Sequence, residues 1–122
     1  MAENSGFRTL MAGEAIATNR LVKIKSGTTT VPPEVVYADS DEAFIGSTEF
    51  AAASGDPVTV RLSNAPGTRE LVAGEAAAVG ASLYTANDGK VADTNPGGTG
   101  TARAIALEAS TADGDFIECL VL

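Results

Sequence analysis

The chain has 122 residues and a formal net charge of −8, from 8 Lys and Arg against 16 Asp and Glu, with no histidine, no tryptophan and one cysteine. That length is read as one domain. Scattered cations on a chain of pI near 4.3 exclude the clustered positive surface that phosphate binding needs, and the missing histidine removes Ser-His and Cys-His nucleophile pairs and His-based zinc sites. Of the hydrophobic residues, 22 are alanine and 29 are Val, Ile, Leu, Met or Phe. The core is therefore thin, and stability is expected to draw on association or a partner surface.

Along the chain, Met1 to Gly6 carry neither the cationic nor the apolar region of a secretion signal, and no run of 18 apolar residues exists, so neither signal nor membrane span is expected. Short strands follow: Arg20 to Lys25, Val35 to Ala38, Ala43 to Gly46, Pro57 to Leu62, Arg69 to Val72, Ser82 to Ala86, Arg103 to Leu107 and Asp115 to Leu122. They are separated at close intervals by turn residues such as Ser26-Gly27, Pro32-Pro33, Ser54-Gly55-Asp56, Asn64-Ala65-Pro66-Gly67 and Asn87-Asp88-Gly89. This is the pattern of a small all-β barrel or sandwich. In the strand Leu21 to Lys25 the alternation places Lys23 and Lys25 on a wet face.

Two alanine runs are ambiguous. Thr48 to Ala53, with Ser47 as a cap and Gly55 as a stop, suits one or two helical turns, whereas Ala76 to Ala78 lies between Gly74 and Gly80. Neither is long enough to be a stable helix alone. Asn95-Pro96-Gly97-Gly98-Thr99-Gly100 lacks the Gly-Lys-Ser/Thr ending of a phosphate loop and reads as a hairpin loop. Asp39-Ser40-Asp41-Glu42 lacks the glycine and distal glutamate of a calcium loop and reads as a solvated turn. Cys119, between apolar neighbours and beside Glu118, reads as a small core residue and not as a reactive thiol.

The chain also repeats itself at an offset near 60. Ala12-Gly13-Glu14-Ala15 recurs as Ala73-Gly74-Glu75-Ala76, each copy followed by a leucine-led strand, Leu21-Val22-Lys23 and Leu83-Tyr84-Thr85. The segment from Ala43 through Gly55-Asp56 to Val60 parallels that from Ala104 through Gly114-Asp115 to Cys119. Halves of about 60 residues, roughly 13–62 and 74–122, are too small to stand alone. They are expected to close on each other as one barrel over 13–122, with an extended N-terminal arm over 1–12.

The Ala-Gly-Glu-Ala turn, the Leu-Val and Leu-Tyr strands, Asp88-Gly89-Lys90-Val91, Ala104-Ile105-Ala106-Leu107 and Gly114-Asp115-Phe116-Ile117 together resemble the capsid decoration, or cement, proteins of tailed bacteriophages. The resemblance implies a compact β-barrel or β-tulip that binds the major capsid protein on the outside of an icosahedral head. It implies homotrimers at three-fold and quasi-three-fold sites, stabilisation of the expanded head, synthesis in the host cytoplasm, and no enzymatic activity, cofactor, metal, nucleic-acid or membrane partner. The arm implied by the family falls on residues 1–12, where Phe7, Arg8 and Leu10 are the expected capsid contacts. Deleting residues 1–10 is then expected to leave the domain folded. Two other readings are a carbohydrate-binding or adhesion module using Tyr37 and Tyr84 as stacking platforms, and an enzyme with Asp39 or Glu42 in a carboxylate pair. The missing tryptophan disfavours the first, and the lack of a second carboxylate opposite these residues disfavours the second.

Overall fold

The structure, a computed structural model, describes residues 6–122. Ten strands run in chain order: β1 (Phe7–Ala12), β2 (Leu21–Ile24), β3 (Glu34–Tyr37), β4 (Gly46–Thr48), β5 (Pro57–Leu62), β6 (Arg69–Val72), β7 (Ser82–Ala86), β8 (Lys90–Ala92), β9 (Ala104–Ala106) and β10 (Phe116–Val121). The first five close a barrel in the order β1-β3-β2-β4-β5, with β1 returning antiparallel to β5 and parallel to β3. The second five form a sheet in the order β6-β10-β9-β7-β8, whose edge strands approach through one parallel bridge, Ala73 to Val91.

The all-β expectation holds, but the halves do not pool their strands into one barrel: the first closes on itself, and the second is a five-stranded sheet whose edges meet at that one bridge. The repeat extends to individual hydrogen bonds. Ala12 N–H donates to Asp56 O as Ala73 N–H donates to Asp115 O, and Gly13 N–H meets Val35 O as Gly74 N–H meets Val91 O. The alanine runs are not helical, because both are already engaged in pairing: Ile16 bridges Ala52 and Ala77 bridges Ser110 at equivalent positions. Those two-way bonds leave no backbone groups free for a helical turn.

Two further expectations are corrected. Residues 7–12 are not an arm but strand β1, in five-residue register with β5 from Phe7 opposite Arg61 to Met11 opposite Pro57; residues 1–5 lie outside the described residues. The physical reason is period-2 alternation, since Leu10 and Ala12 point into the barrel while Phe7 and Thr9 face outward. The repeat in fact begins earlier than the Ala-Gly-Glu-Ala motif, as Arg8-Thr9-Leu10-Met11-Ala12 against Arg69-Glu70-Leu71-Val72-Ala73. Deleting residues 1–10 would remove most of a barrel strand and break closure. Second, Lys90–Ala92, not among the expected strands, is a strand that pairs with Tyr84 to Ala86 across a short 3-10 turn at Asn87–Gly89.

Two cores result. One gathers Leu10, Ala12, Ile16, Val22, Val35, Val58 and Val60 inside the first barrel. The other gathers Leu71, Leu83, Val91, Ile117, Cys119 and neighbouring alanines, and it takes in Leu21 and Ala38 from the first half. The alanines let backbones approach closely where larger side chains would hold them apart.

Three carboxyl groups are held below their ordinary range. Glu42 is held by the Lys23 ammonium and the Asp39 N–H, Glu75 by the hydroxyl and N–H of Thr94, and Asp115 by the N–H and hydroxyl of Thr111 and the N–H of Ala112. With a depressed native pKa the unfolded chain takes up protons first as pH falls, so this stabilisation is complete above the unfolded values and is lost through the lower native ones. Cys119 has the opposite sign: burial, with Glu108 and Glu118 adding, pushes its thiol up to about 12. Its contribution is complete below the unfolded thiol pKa and is lost as pH rises toward the native one. The chain has no histidine side chain to titrate near neutrality. A melting-temperature profile should therefore be flat from about pH 6 to 8 and fall below about 4.5 and above about 9. Glu42→Gln should shrink the acid limb and Cys119→Ala the alkaline one; a steep slope between pH 6 and 8 would contradict this assignment.

Candidate docking surfaces and the seam between the halves

The halves are joined by the short segment 63–68 and by a seam of polar groups. Arg69, at the start of β6, is 5% exposed. Its Nη1 donates to Arg61 O at 3.0 Å and to Ser47 Oγ at 3.2 Å, and its Nη2 donates to Leu62 O at 2.9 Å. The second half thus reaches back and clasps the end of the β4–β5 ladder of the first. Among the described residues no carboxylate lies within ion-pair distance of Arg69. Its counter-charge is the partial negative charge of these carbonyls, and burial lowers its pKa, with Arg61 adding and Glu49 opposing.

The seam continues through the 3-10 turn. Gly89 N–H donates to Ala38 O, and Asp88 N–H to Asp39 Oδ1 at 3.0 Å. Asp41 Oδ1 accepts from Thr101 N–H, Thr85 Oγ1 donates to Glu42 O, and Arg20 Nη1 donates to Asp88 O. The acidic segment Asp39 to Glu42 is the exposed turn that was expected, and through these bonds it is also a strap between the halves. Among the described residues no three His, Cys, Asp or Glu side chains are grouped to hold a metal.

Of the three expected contact residues, Leu10 is 3% exposed inside the first barrel, so the core takes it and a partner cannot. Phe7 is 36% exposed and Arg8 is half-buried at the barrel rim. Tyr37 is occupied: its hydroxyl accepts from Ala17 N–H at 2.8 Å, and Arg20 sits 5.7 Å from its ring centroid. Tyr84 is half-buried on β7. Tyr37 therefore offers no free stacking platform.

Two exposed features were missed from sequence. One is the β9–β10 end of the second half, where Leu107, Leu120 and Leu122 are exposed and Ile105 lies directly opposite Leu120. Leu122 also lines an open groove with Phe44, Ser63, Thr101, Ala102 and Arg103. The outward alternation of β10 was legible as Phe116, Glu118, Leu120, Leu122, but an apolar residue at every second outward position reads equally as a second buried face. The other is the β2–β3 loop, whose tip residue Val31 is 94% exposed. From Ser26 to Pro33 this loop carries no charge, and it is braced by Glu34 N–H to Thr28 Oγ1, Thr30 Oγ1 to Pro32 O and Met11 N–H to Pro33 O. The equivalent β7–β8 connection needs only Asn87–Gly89, so the longer loop is not demanded by the fold.

Gly89 tests the seam. It has φ +70°, and a Cβ there would lie 2.5 Å from Leu21 O and 2.9 Å from Leu21 N, both backbone atoms of the other half. Gly27 has φ +77° with nothing within 4 Å of such a Cβ. Gly27→Ala should cost about 1 kcal/mol for the backbone conformation alone, and Gly89→Ala roughly 3 kcal/mol or more because the seam must also part. Urea unfolding of both variants measures this; equal losses would contradict a tight seam.

A model of the phage cement protein family matches residues 4–121 of the chain. Among solved structures, the crystal structure of the N base of head fiber gp8.5 in bacteriophage phi29 is similar, with a TM-score of 0.78 and 20% identity, covering 95% of this chain and 92% of that one. At that identity the likeness shows a shared fold. No match was found among the curated proteins.

Proposed function

The chain belongs to the phage cement protein family, a structural virion protein family, and from that premise we propose that it binds the outer surface of an icosahedral phage head and stabilises the expanded shell without enzymatic activity. The family match over nearly the whole chain carries this reading. The braced, uncharged loop ending in Val31 supports it, since it is an ordered apolar projection that loses little conformational freedom on docking. We assign that loop to a socket on the major capsid protein. Of the expected arm contacts, Phe7 and Arg8 alone are exposed enough to meet a partner of any kind. The likeness to the base of a head fiber supports attachment to a head over carbohydrate adhesion.

The mechanism is additive. Each copy contributes modest contacts, and three copies gathered at a three-fold or quasi-three-fold position act with raised effective concentration. Contacts that exist only on the expanded lattice stabilise that state by their binding free energy. Net charge of −8 keeps the protein away from the phosphate backbone of nucleic acid during assembly in the host cytoplasm.

Purified protein added to expanded heads and to unexpanded precursor shells tests this. It should bind the expanded heads and raise their rupture temperature, and Val31→Asp should weaken binding about ten-fold or more by placing a charge in an apolar socket. Absence of binding to expanded heads would overturn the reading. Unchanged affinity of Val31→Asp would remove the loop from the contact.

A further inference from the structure

The seam inside the molecule is a template for a contact between molecules. Strand pairings align the two halves without ambiguity: Ser47 opposite Arg61 matches Ile105 opposite Leu120, and Gly46 opposite Leu62 matches Ala104 opposite Val121. The bond from Ser63 N–H to Ile45 O likewise matches that from Leu122 N–H to Arg103 O, and Glu49 N–H to Thr59 O matches Leu107 N–H to Glu118 O. The surface that Arg69 clasps on the first half therefore has an equivalent on the second half, made of Ile105, Leu107, Leu120, Val121 and Leu122. In that equivalent Leu107, Leu120 and Leu122 are exposed while Ile105 and Val121 are half-buried, and apolar residues stand where the covered version has Ser47, Glu49, Arg61 and Ser63.

The covering element is duplicated too. Arg8 stands opposite Val60 as Arg69 stands opposite Cys119, inside the matching segments Arg8-Thr9-Leu10-Met11-Ala12-Gly13 and Arg69-Glu70-Leu71-Val72-Ala73-Gly74. Arg69 is spent on the internal seam, whereas Arg8 is half-buried at the rim beside the exposed Phe7. Among the described residues, one end of the molecule thus holds a clasp without a seat, and the other a seat without a clasp.

We propose that a second copy of this chain fills the seat. Arg8 of one copy donates to backbone carbonyls at the end of β10 of the next, and Phe7 packs over the patch formed by Leu120 and Leu122. Two differences suit an intermolecular contact. Leu120 replaces Arg61, whose charge opposes Arg69 in the internal seam, so the incoming guanidinium meets no arginine at that position. Leu107 and Leu122 replace polar residues and add apolar area, which a contact lacking a covalent tether needs. Such a contact is heterologous, joining unlike surfaces, and it propagates head to tail until it closes as a ring. It supplies an interface for the three-copy arrangement proposed above but does not require a head to be observed.

Sedimentation of the full-length protein over micromolar to millimolar concentrations tests this, with Arg8→Ala and Leu120→Asp as variants and melting temperatures to confirm folding. The wild type should associate, and each variant should associate at least ten-fold more weakly. Mixing the two variants is decisive: Arg8→Ala keeps the seat and Leu120→Asp keeps the clasp, so together they should form one-to-one dimers that grow no further. Wild-type protein that remains monomeric throughout and decorates heads without cooperativity between copies would overturn the proposal. So would folded variants that associate as the wild type does. Head binding is scored separately: association without head binding would leave this interface standing and remove the proposed function.

Discussion

A buried guanidinium with no carboxylate partner among the described residues sets the architecture. Arg69 sits at the first residue of the second half, and its two terminal nitrogens are held by two main-chain carbonyls and a hydroxyl of the first, while its Nε is buried without a partner. Because those carbonyls terminate a strand, the contact fixes position as well as attraction: the second half can sit only where the β4–β5 ladder ends. The Gly89 turn, pressed against the backbone of Leu21, and the strap from Asp39 to Glu42 then lock the rotation about that point. Two halves with thin, alanine-rich cores become one body because the second does not supply all its own burial. Leu21 and Ala38 of the first half complete the core of the second.

Much of this was legible in the sequence, and the gaps have physical causes. Seven strands followed from alternation and turn residues, whereas the one expected over Ala43 to Gly46 lies at Gly46–Thr48 instead; the repeat followed from Ala-Gly-Glu-Ala and the Gly-Asp turns. Strand β1 was overlooked because Phe7, Thr9 and Met11 are not uniformly polar, so alternation alone does not mark it; the matching arginine and leucine at Arg8-Leu10 and Arg69-Leu71 carried the signal. Strand β8 has three residues and leaves no periodicity to read. The alanine runs resembled helix starts because propensity is local, whereas the bridges at Ala52 and Ala77 are made by residues 33 to 36 positions away.

The exposed docking surfaces were harder still. A leucine that faces solvent and one that faces a second layer have the same sequence signature, and only the topology shows that nothing among the described residues covers Leu120 and Leu122. Val31 stood out once the second half made the same connection in three residues. In each case the repeat was the informative instrument. It separates what the fold demands, which both halves share, from what one half has in addition.

Seam, seat and loop then belong to one scheme. The contact that holds the two halves together within a copy is reused with an apolar facing between copies, while the loop on the first half is left to meet the shell. An image reconstruction of decorated heads, at a resolution that traces strands, tests the scheme most directly. It should show the Phe7–Arg8 rim of one copy seated on the β9–β10 end of its neighbour, with the Val31 loop directed into the shell. Copies that stand apart, or that grip the shell by the β9–β10 end while the loop points to solvent, would contradict it.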